Sequence, residues 1–335
     1  MRKRVTLKQL AAELDLSIST VSKSLKNDPE ISQETIERVK KLAKSKNYRP
    51  NALAVSLKSS KTMSIGVIVP DILNNFFAKV LLGIEKEATK NNYKIVTCIS
   101  SESYQKELDY LDMLSYNGVD GFILAASQES QTKGLFEHFN TILKDDIPIV
   151  MFDRMVEDVY CDKVIVNDKQ SAEDAIDKLV VSGCKNIGIV SNIQKLSVGL
   201  ERLEGAERAL VKHKMNTTLL KLKKKDEFEM QISKFITDNN FDAILGLDET
   251  SAVSSINAAQ IIGKKIPTDI QIIGFTDGIL SKHSYPKLTT ISQNASKMGE
   301  EAAKILIDKL ELRAEKYLPE TKVIKTKIIE RGTTK

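Results

Sequence analysis

At 335 residues the chain exceeds one ordinary small domain and suits two or three. Its 41% hydrophobic and 28% charged residues are those of a soluble globular protein. No apolar run approaches the roughly 18 residues of a membrane helix, and no apolar signal core follows the basic Met1-Arg2-Lys3-Arg4; membrane and exported proteins are excluded and a cytoplasmic one is expected. Net charge is only +5, yet residues 1–61 hold 14 Lys/Arg against 6 Asp/Glu, which concentrates positive field where an anionic polymer can be met. Cys98, Cys161 and Cys184 lie far apart without metal spacing, and His138, His213 and His283 are equally scattered. Reduced buried thiols are expected, with no metal, no cofactor and no catalytic constellation.

Thr6 caps a first helix, Leu7 to Leu14, with Gln9 completing a capping-box pattern; Leu7, Leu10, Ala11 and Leu14 share one face. Asp15-Leu16-Ser17 breaks it. A second helix starts at Ser17 or Ile18 and runs to Leu25, with Val21 and Leu25 inward. After the loop Asn27-Asp28-Pro29-Glu30, Ser32 starts a third helix, Gln33 to Asn47, whose Ile36, Val39, Leu42 and Ala43 face inward. Two short helices across a tight turn, buttressed by a third, make a helix-turn-helix. Its second helix exposes Ser17, Ile18, Ser19, Ser22 and Lys23, short polar groups with one apolar side chain and one cation, which suit base edges, thymine methyls and phosphates. A generic three-helix bundle without a DNA role is the weaker alternative, given the basic excess.

Four blocks in order, Val5-Thr6-Leu7-Lys8-Gln9-Leu10-Ala11, Leu16-Ser17-x-x-Thr20-Val21-Ser22, Ile31-Ser32-x-x-Thr35 and Asn47-Tyr48-Arg49-Pro50-Asn51-Ala52, resemble the head of the lactose/galactose-repressor (LacI/GalR) family. The resemblance implies a homodimer on a pseudo-palindromic double-stranded DNA operator, contacted by Thr6, Ser17, Ile18, Ser19, Thr20, Ser22, Lys23, Ser32 and Tyr48. Leu14-Asp15-Leu16 replaces a common Ala-Gly-Val turn, and Lys23 stands where arginine is usual, without the fork that reads guanine. Residues 1–49 form the expected head and 50–62 the hinge and linker. Pro50 stops the third helix, and the helix-capable stretch from Asn51 to Lys58 is too short to be stable alone. The resemblance assigns Leu57 a wedge in the minor groove, with Asn51, Ala52 and Lys58 beside the backbone.

From Ser64 onward short apolar strands alternate with helices: Ile65–Val69, Lys94–Cys98, Gly121–Ala125, Ile149–Phe152, Val164–Val166, Ile187–Ser191, Thr218–Leu222, Ala243–Leu247 and Ile270–Phe275. Crossover helices between them mean parallel, doubly wound sheets. The fold class is an all-α helix-turn-helix head plus an α/β core of two such lobes, resembling periplasmic binding proteins. The first lobe takes residues 63–161 and 290–322, the second 162–289 and 323–335, with one last strand from Val323 to Ile329. A small-molecule effector belongs between the lobes, at the carboxyl ends of the strands. No leucine heptad extends beyond the tail, so a coiled-coil tetramer is not expected.

For the effector site the family pattern implies Asp71, Asn74, Asn75, Phe76 and Phe77 after the first strand, then Asp153, Arg154, Arg202 and Asp248. Where the family commonly reads Gly-Tyr/Phe-Asp-Asp, this chain has Gly274-Phe275-Thr276-Asp277. Thr276 removes a charge from the sugar grip, which Asp277 can replace from the neighbouring position. Two arginines with one fewer acid point to a positive cleft and a sugar or sugar acid such as a uronate. No Gly-x-Gly-x-x-Gly turn or Walker loop appears, so the chain reads as a regulator and not an enzyme. Inducer-released repression of carbohydrate-utilisation genes is the leading reading. Corepressor dependence on a purine, or a sugar-binding protein without a regulatory role, are the alternatives.

Overall fold

The computed structural model describes residues 5–48, 61–116, 118–276, 278–312 and 318–335, in two compact units that divide after Thr62.

The head contains helices α1 (Leu7–Leu14), α2 (Ile18–Leu25) and α3 (Gln33–Ser45). Each is opened by a hydroxyl cap. Thr6 and Gln9 form the reciprocal capping box, Ser17 accepts from the Thr20 amide at 3.0 Å, and Ser32 accepts from the Thr35 amide at 3.3 Å. Asp15 closes α1 at φ 55°, the left-handed geometry that Asp tolerates better than most non-glycine residues. That is how the chain makes the turn without the glycine usual there. Leu10, Ala11, Val21, Val39 and Ala43 are the buried core of this unit. The third helix ends at Ser45 rather than Asn47, which itself is left-handed at φ 52°.

The core unit alternates strand and helix. Its first part has β1 (Ser64–Val69), α4 (Asn75–Lys90), β2 (Lys94–Ile99), α5 (Tyr104–Tyr116), β3 (Gly121–Leu124), α6 (Gln128–Lys133), α7 (Glu137–Lys144), β4 (Ile149–Phe152) and β5 (Asp162–Val166). Then come α8 (Asp168–Val181), β6 (Ile187–Ser191), α9 (Ser197–Lys212), β7 (Leu219–Lys221), α10 (Phe228–Asn239), β8 (Ala243–Gly246), α11 (Glu249–Ile261), β9 (Gln271–Phe275) and α12 (Leu280–His283). The chain finishes with β10 (Thr289–Ser292), α13 (Ala295–Leu312), β11 (Thr321–Ile324) and β12 (Lys327–Ile329). Two six-stranded sheets result, in the orders β11-β5-β4-β3-β1-β2 and β12-β10-β9-β8-β6-β7. All neighbours are parallel except β10 with β12.

Sheet membership corrects three expected boundaries. β5 pairs with β4, Val150 opposite Asp162, so the chain leaves the first lobe after Val166 and not before Asp162. β10 pairs with β9, so the return follows Ser292 and not Thr289. The single strand expected from Val323 to Ile329 is two: β11 completes the first sheet and β12 the second, with Lys325 and Thr326 between them. Apolar runs locate strands, but only ladder partners decide which sheet a strand joins. Each sheet is packed on both faces by helices, as parallel sheets require, giving separate cores around Val67–Phe152 and Leu245–Ile273. Among the described residues no helix is long and apolar enough to cross a membrane.

Candidate functional site

On the head, three of the five side chains expected on the open face of the second helix are exposed, while Ser22 and Lys23 are half-buried. Ser17, Ile18 and Ser19 are exposed, and Ile18 remains 48% accessible with no core neighbour to cover it. Thr20 and Ser22 are half-buried on the same helix, and the Thr20 hydroxyl shares a hydrogen bond with that of Ser17 at 2.8 Å. The Lys23 ammonium is held by Glu30, in the loop before α3, which raises the lysine's affinity for its proton. The cation is therefore positioned from within the head. Thr6 and Ser32 are exposed caps of the flanking helices. Tyr48 packs half-buried against the head core, and burial pushes its phenol upward. Asn51, Ala52, Leu57 and Lys58 lie outside the described residues.

In the core unit a cavity of about 70 Å³ opens between the lobes. Much of its polar lining comes from residues just past strand ends: Asp153 and Arg154 after β4, Asp248 after β8, Thr276 after β9 and Gln293 after β10. Asn74, Phe76, Phe77 and Arg202, also expected from the sequence, line it too. Asp71 is a correction: its carboxylate accepts from the Leu73 amide at 2.8 Å in a local turn, and it does not line the cavity. A short polar side chain with a free amide two residues on bends back to it before it can reach across a cleft. Asp277 lies outside the described residues. Ile193, Leu196, Val198, Glu249, Phe275 and Gln293 line the cavity without having been foreseen.

Local structure fixes these groups. Asn74 caps α4 by accepting from the Phe76 amide at 3.0 Å, which turns Phe76 and Phe77 inward, edge to face at 5.3 Å. Asp153 sits at φ 56°, a strained backbone placement, and is 7% exposed. Arg154 donates to Glu102 at 2.6 Å and lies over the Phe77 ring at 5.2 Å. Arg202, in the middle of α9, donates through Nε to Asp168 at 2.6 Å and through Nη1 to the Leu247 carbonyl at 2.8 Å. Its guanidinium stacks on Phe275 at 4.3 Å. Gly205 makes this placement possible: a Cβ there would stand 2.1 Å from the Lys169 carbonyl, so only glycine lets α9 come this close to the start of α8.

Neither Glu102 nor Asp168 was foreseen, and together they reverse the expected charge of the cleft. Each arginine carries its own carboxylate, and Asp153, Asp248 and Glu249 remain. Burial drives these acids toward their neutral forms. Asp168 is pushed up to about 6, opposed by Arg202 and helped by Asp153, while Asp153, Asp248 and Glu249 are also raised, chiefly by desolvation. The positive cleft expected from counting arginines is thus corrected to an acidic one. The signal for Asp168 was present: it follows a strand end, where such sites form.

A second unforeseen group ties the lobes together. Leu196, the residue before α9, has no side chain that can cap the helix. Gln131, on α6 of the first lobe, supplies the cap instead: its Oε1 accepts from the Ser197 amide at 3.2 Å. Its Nε2 donates to the Ser197 hydroxyl at 3.0 Å and to the Met155 carbonyl at 3.0 Å. Leu196 and Val198, on either side of this contact, form part of the cavity wall.

Residues 6–51 match the bacterial regulatory proteins of the lacI family, and residues 176–334 match a periplasmic binding protein-like domain. The chain is 30% identical over 339 aligned residues to the HTH-type transcriptional regulator RegA of Clostridium saccharobutylicum, covering 98% of this chain and 99% of that protein. A LacI family regulator from Enterococcus faecium solved with bound ribose is 27% identical, with a TM-score of 0.71 over 81% of this chain and 98% of its own. The lac repressor dimer bound to operator, 19% identical, shares the fold at a TM-score of 0.85 over 99% of both chains.

Proposed function

The chain belongs to the LacI family of DNA-binding transcriptional regulators and is not an enzyme, and from that premise we propose that it is a cytoplasmic repressor of carbohydrate-utilisation genes. Its affinity for a pseudo-palindromic operator is set by a sugar-type effector held between the lobes. One observation carries this reading: a head with an exposed polar helix face shares a chain with a cavity lined from the carboxyl ends of two parallel sheets. The relative solved with ribose supports a sugar-type effector.

In this reading Ser17, Ile18, Ser19, Thr20, Ser22 and Lys23 enter the major groove, with Thr6, Ser32 and Tyr48 on the backbone and Leu57 in the minor groove between paired hinges. One head reads a half-site, so a homodimer is the working unit. Effector donors and acceptors meet Asn74, Asp153, Arg154, Arg202, Asp248 and Thr276, whose hydrogen-bonding groups suit a polyhydroxylated ligand. Closure around the effector sets the Gln131 cap, and the closed first lobes change the spacing of the two heads. A ligand shifts that equilibrium only by its preference for one state.

The test selects an operator from random duplex DNA with the purified protein, then repeats the gel shift with a panel of sugars. Palindromic selection and a shift altered by a sugar support the proposal. Selection of no consensus, or a consensus without two-fold symmetry, overturns it.

A further inference from the structure

The effector cavity has an ionic imbalance that a ligand must resolve. Arg154 and Arg202 face Glu102 and Asp168, each at 2.6 Å. Asp248 is engaged as the cap of α11, accepting from the Ser251 amide at 2.9 Å and the Ser251 hydroxyl at 2.5 Å. Two carboxylates on opposite lobes are less fully matched. Asp153 accepts one long hydrogen bond, 3.3 Å from Gln293. The Glu249 carboxylate has Thr276 and the Ser281 backbone as donors and Lys79 as a nearby cation, yet its Oε1 is buried with no hydrogen-bond partner among the described residues. Both acids line the same cavity.

Resting on the reading of this cavity as the effector site, we infer that the effector carries a cationic amine, a hydroxylated amine of the amino-sugar class whose ammonium is held by Asp153 and Glu249. An ammonium offers three donors and a charge, and it meets both the orphaned oxygen and the excess of acid. Buried carboxylates that outnumber their cations are costly, and a further cation that pairs with them removes that cost on binding. A neutral sugar satisfies the oxygen but leaves the charge. A uronate brings another carboxylate into the same low-dielectric space and is the class this cavity rejects. The upward drift of Asp153, Asp248 and Glu249 is the same imbalance seen from the proton's side. Because Asp153 and Glu249 come from different lobes, an amine between them also favours closure.

Calorimetry on the full-length protein compares glucosamine and galactosamine with glucose and galactose, and with the matching uronates, near neutral pH. An amino sugar is expected to bind at least about tenfold tighter than its hydroxyl counterpart, the effect of one charge-assisted hydrogen bond, and Glu249→Gln is expected to reduce that ratio to about one. Equal or tighter binding of the neutral sugar or the uronate overturns the amine while leaving the cavity as the effector site. A sugar whose binding protects another surface from hydrogen exchange overturns both. Should none of these compounds bind, ligand-free melting decides. Asp153→Asn with Glu249→Gln is expected to raise the melting temperature near neutral pH by removing unbalanced charge, and a fall overturns the inference.

Discussion

In the head, the capping hydrogen bonds that shape the candidate surface join residues three apart, Thr6 to Gln9, Ser17 to Thr20 and Ser32 to Thr35, and Lys23 meets Glu30 only seven residues on. In the cleft, the pairs that shape the cavity are 34, 52 and 140 residues apart: Arg202 with Asp168, Arg154 with Glu102, and Gln293 with Asp153. The head is a set of independent local decisions whose polar groups stay in water. The cleft is a network in which each buried charge depends on another. Loss of a local cap subtracts a small, separable amount, whereas loss of one member of a buried pair strands its partner.

The largest effect that sharpens this contrast is expected from Arg202→Leu. It leaves Asp168 buried without a counter-ion, and urea denaturation should show a loss of about 3–5 kcal/mol. Adding Asp168→Asn should recover part of that stability and none of the effector affinity. If the single variant melts like the wild type, the network description is wrong.

Next comes pH. The folded Asp168 holds its proton up to about 6, while an unfolded aspartate releases it near 4. Between those values the folded state binds more protons, so this group's contribution favours folding at low pH and is lost as pH rises through about 6. The Asp168→Asn variant should lack that slope in a series of denaturation curves between about pH 4 and 6.5.

A smaller change is expected for Gln131→Leu, which removes the cross-lobe cap of α9 without touching the cavity's charged groups. Stopped-flow measurements should show effector release about tenfold faster, with association little changed. A loss confined to association would instead make Gln131 part of the entry path.

The smallest effect is that of Ser17→Ala, about 1 kcal/mol in the stability of the head. Amide exchange should quicken in α2 alone, with effector binding untouched. Any change in the cleft's affinity from this substitution would break the separation drawn between the two regions.

Periodicity and capping chemistry in the sequence were enough to determine the three head helices, to place Ile18 on an open face and to locate most core strands. These depend on residues within a few positions of one another, and an amphipathic stripe or a hydroxyl before an apolar run carries that information directly. The family resemblance named eight residues that line the cavity, and four of them, Asp153, Arg154, Asp248 and Thr276, stand just past strand ends that are visible in the sequence. Only the tertiary structure decided which sheet β5, β10, β11 and β12 join, since a strand's own residues do not name its ladder partner. It alone decided the sign of the cleft's charge. Asp168 and Glu102 look like ordinary acids along the chain, and become counter-ions only when Gly205 and the packing within each lobe bring them to the arginines. Charge inside a protein is a property of neighbours in space, and those neighbours are set by the fold.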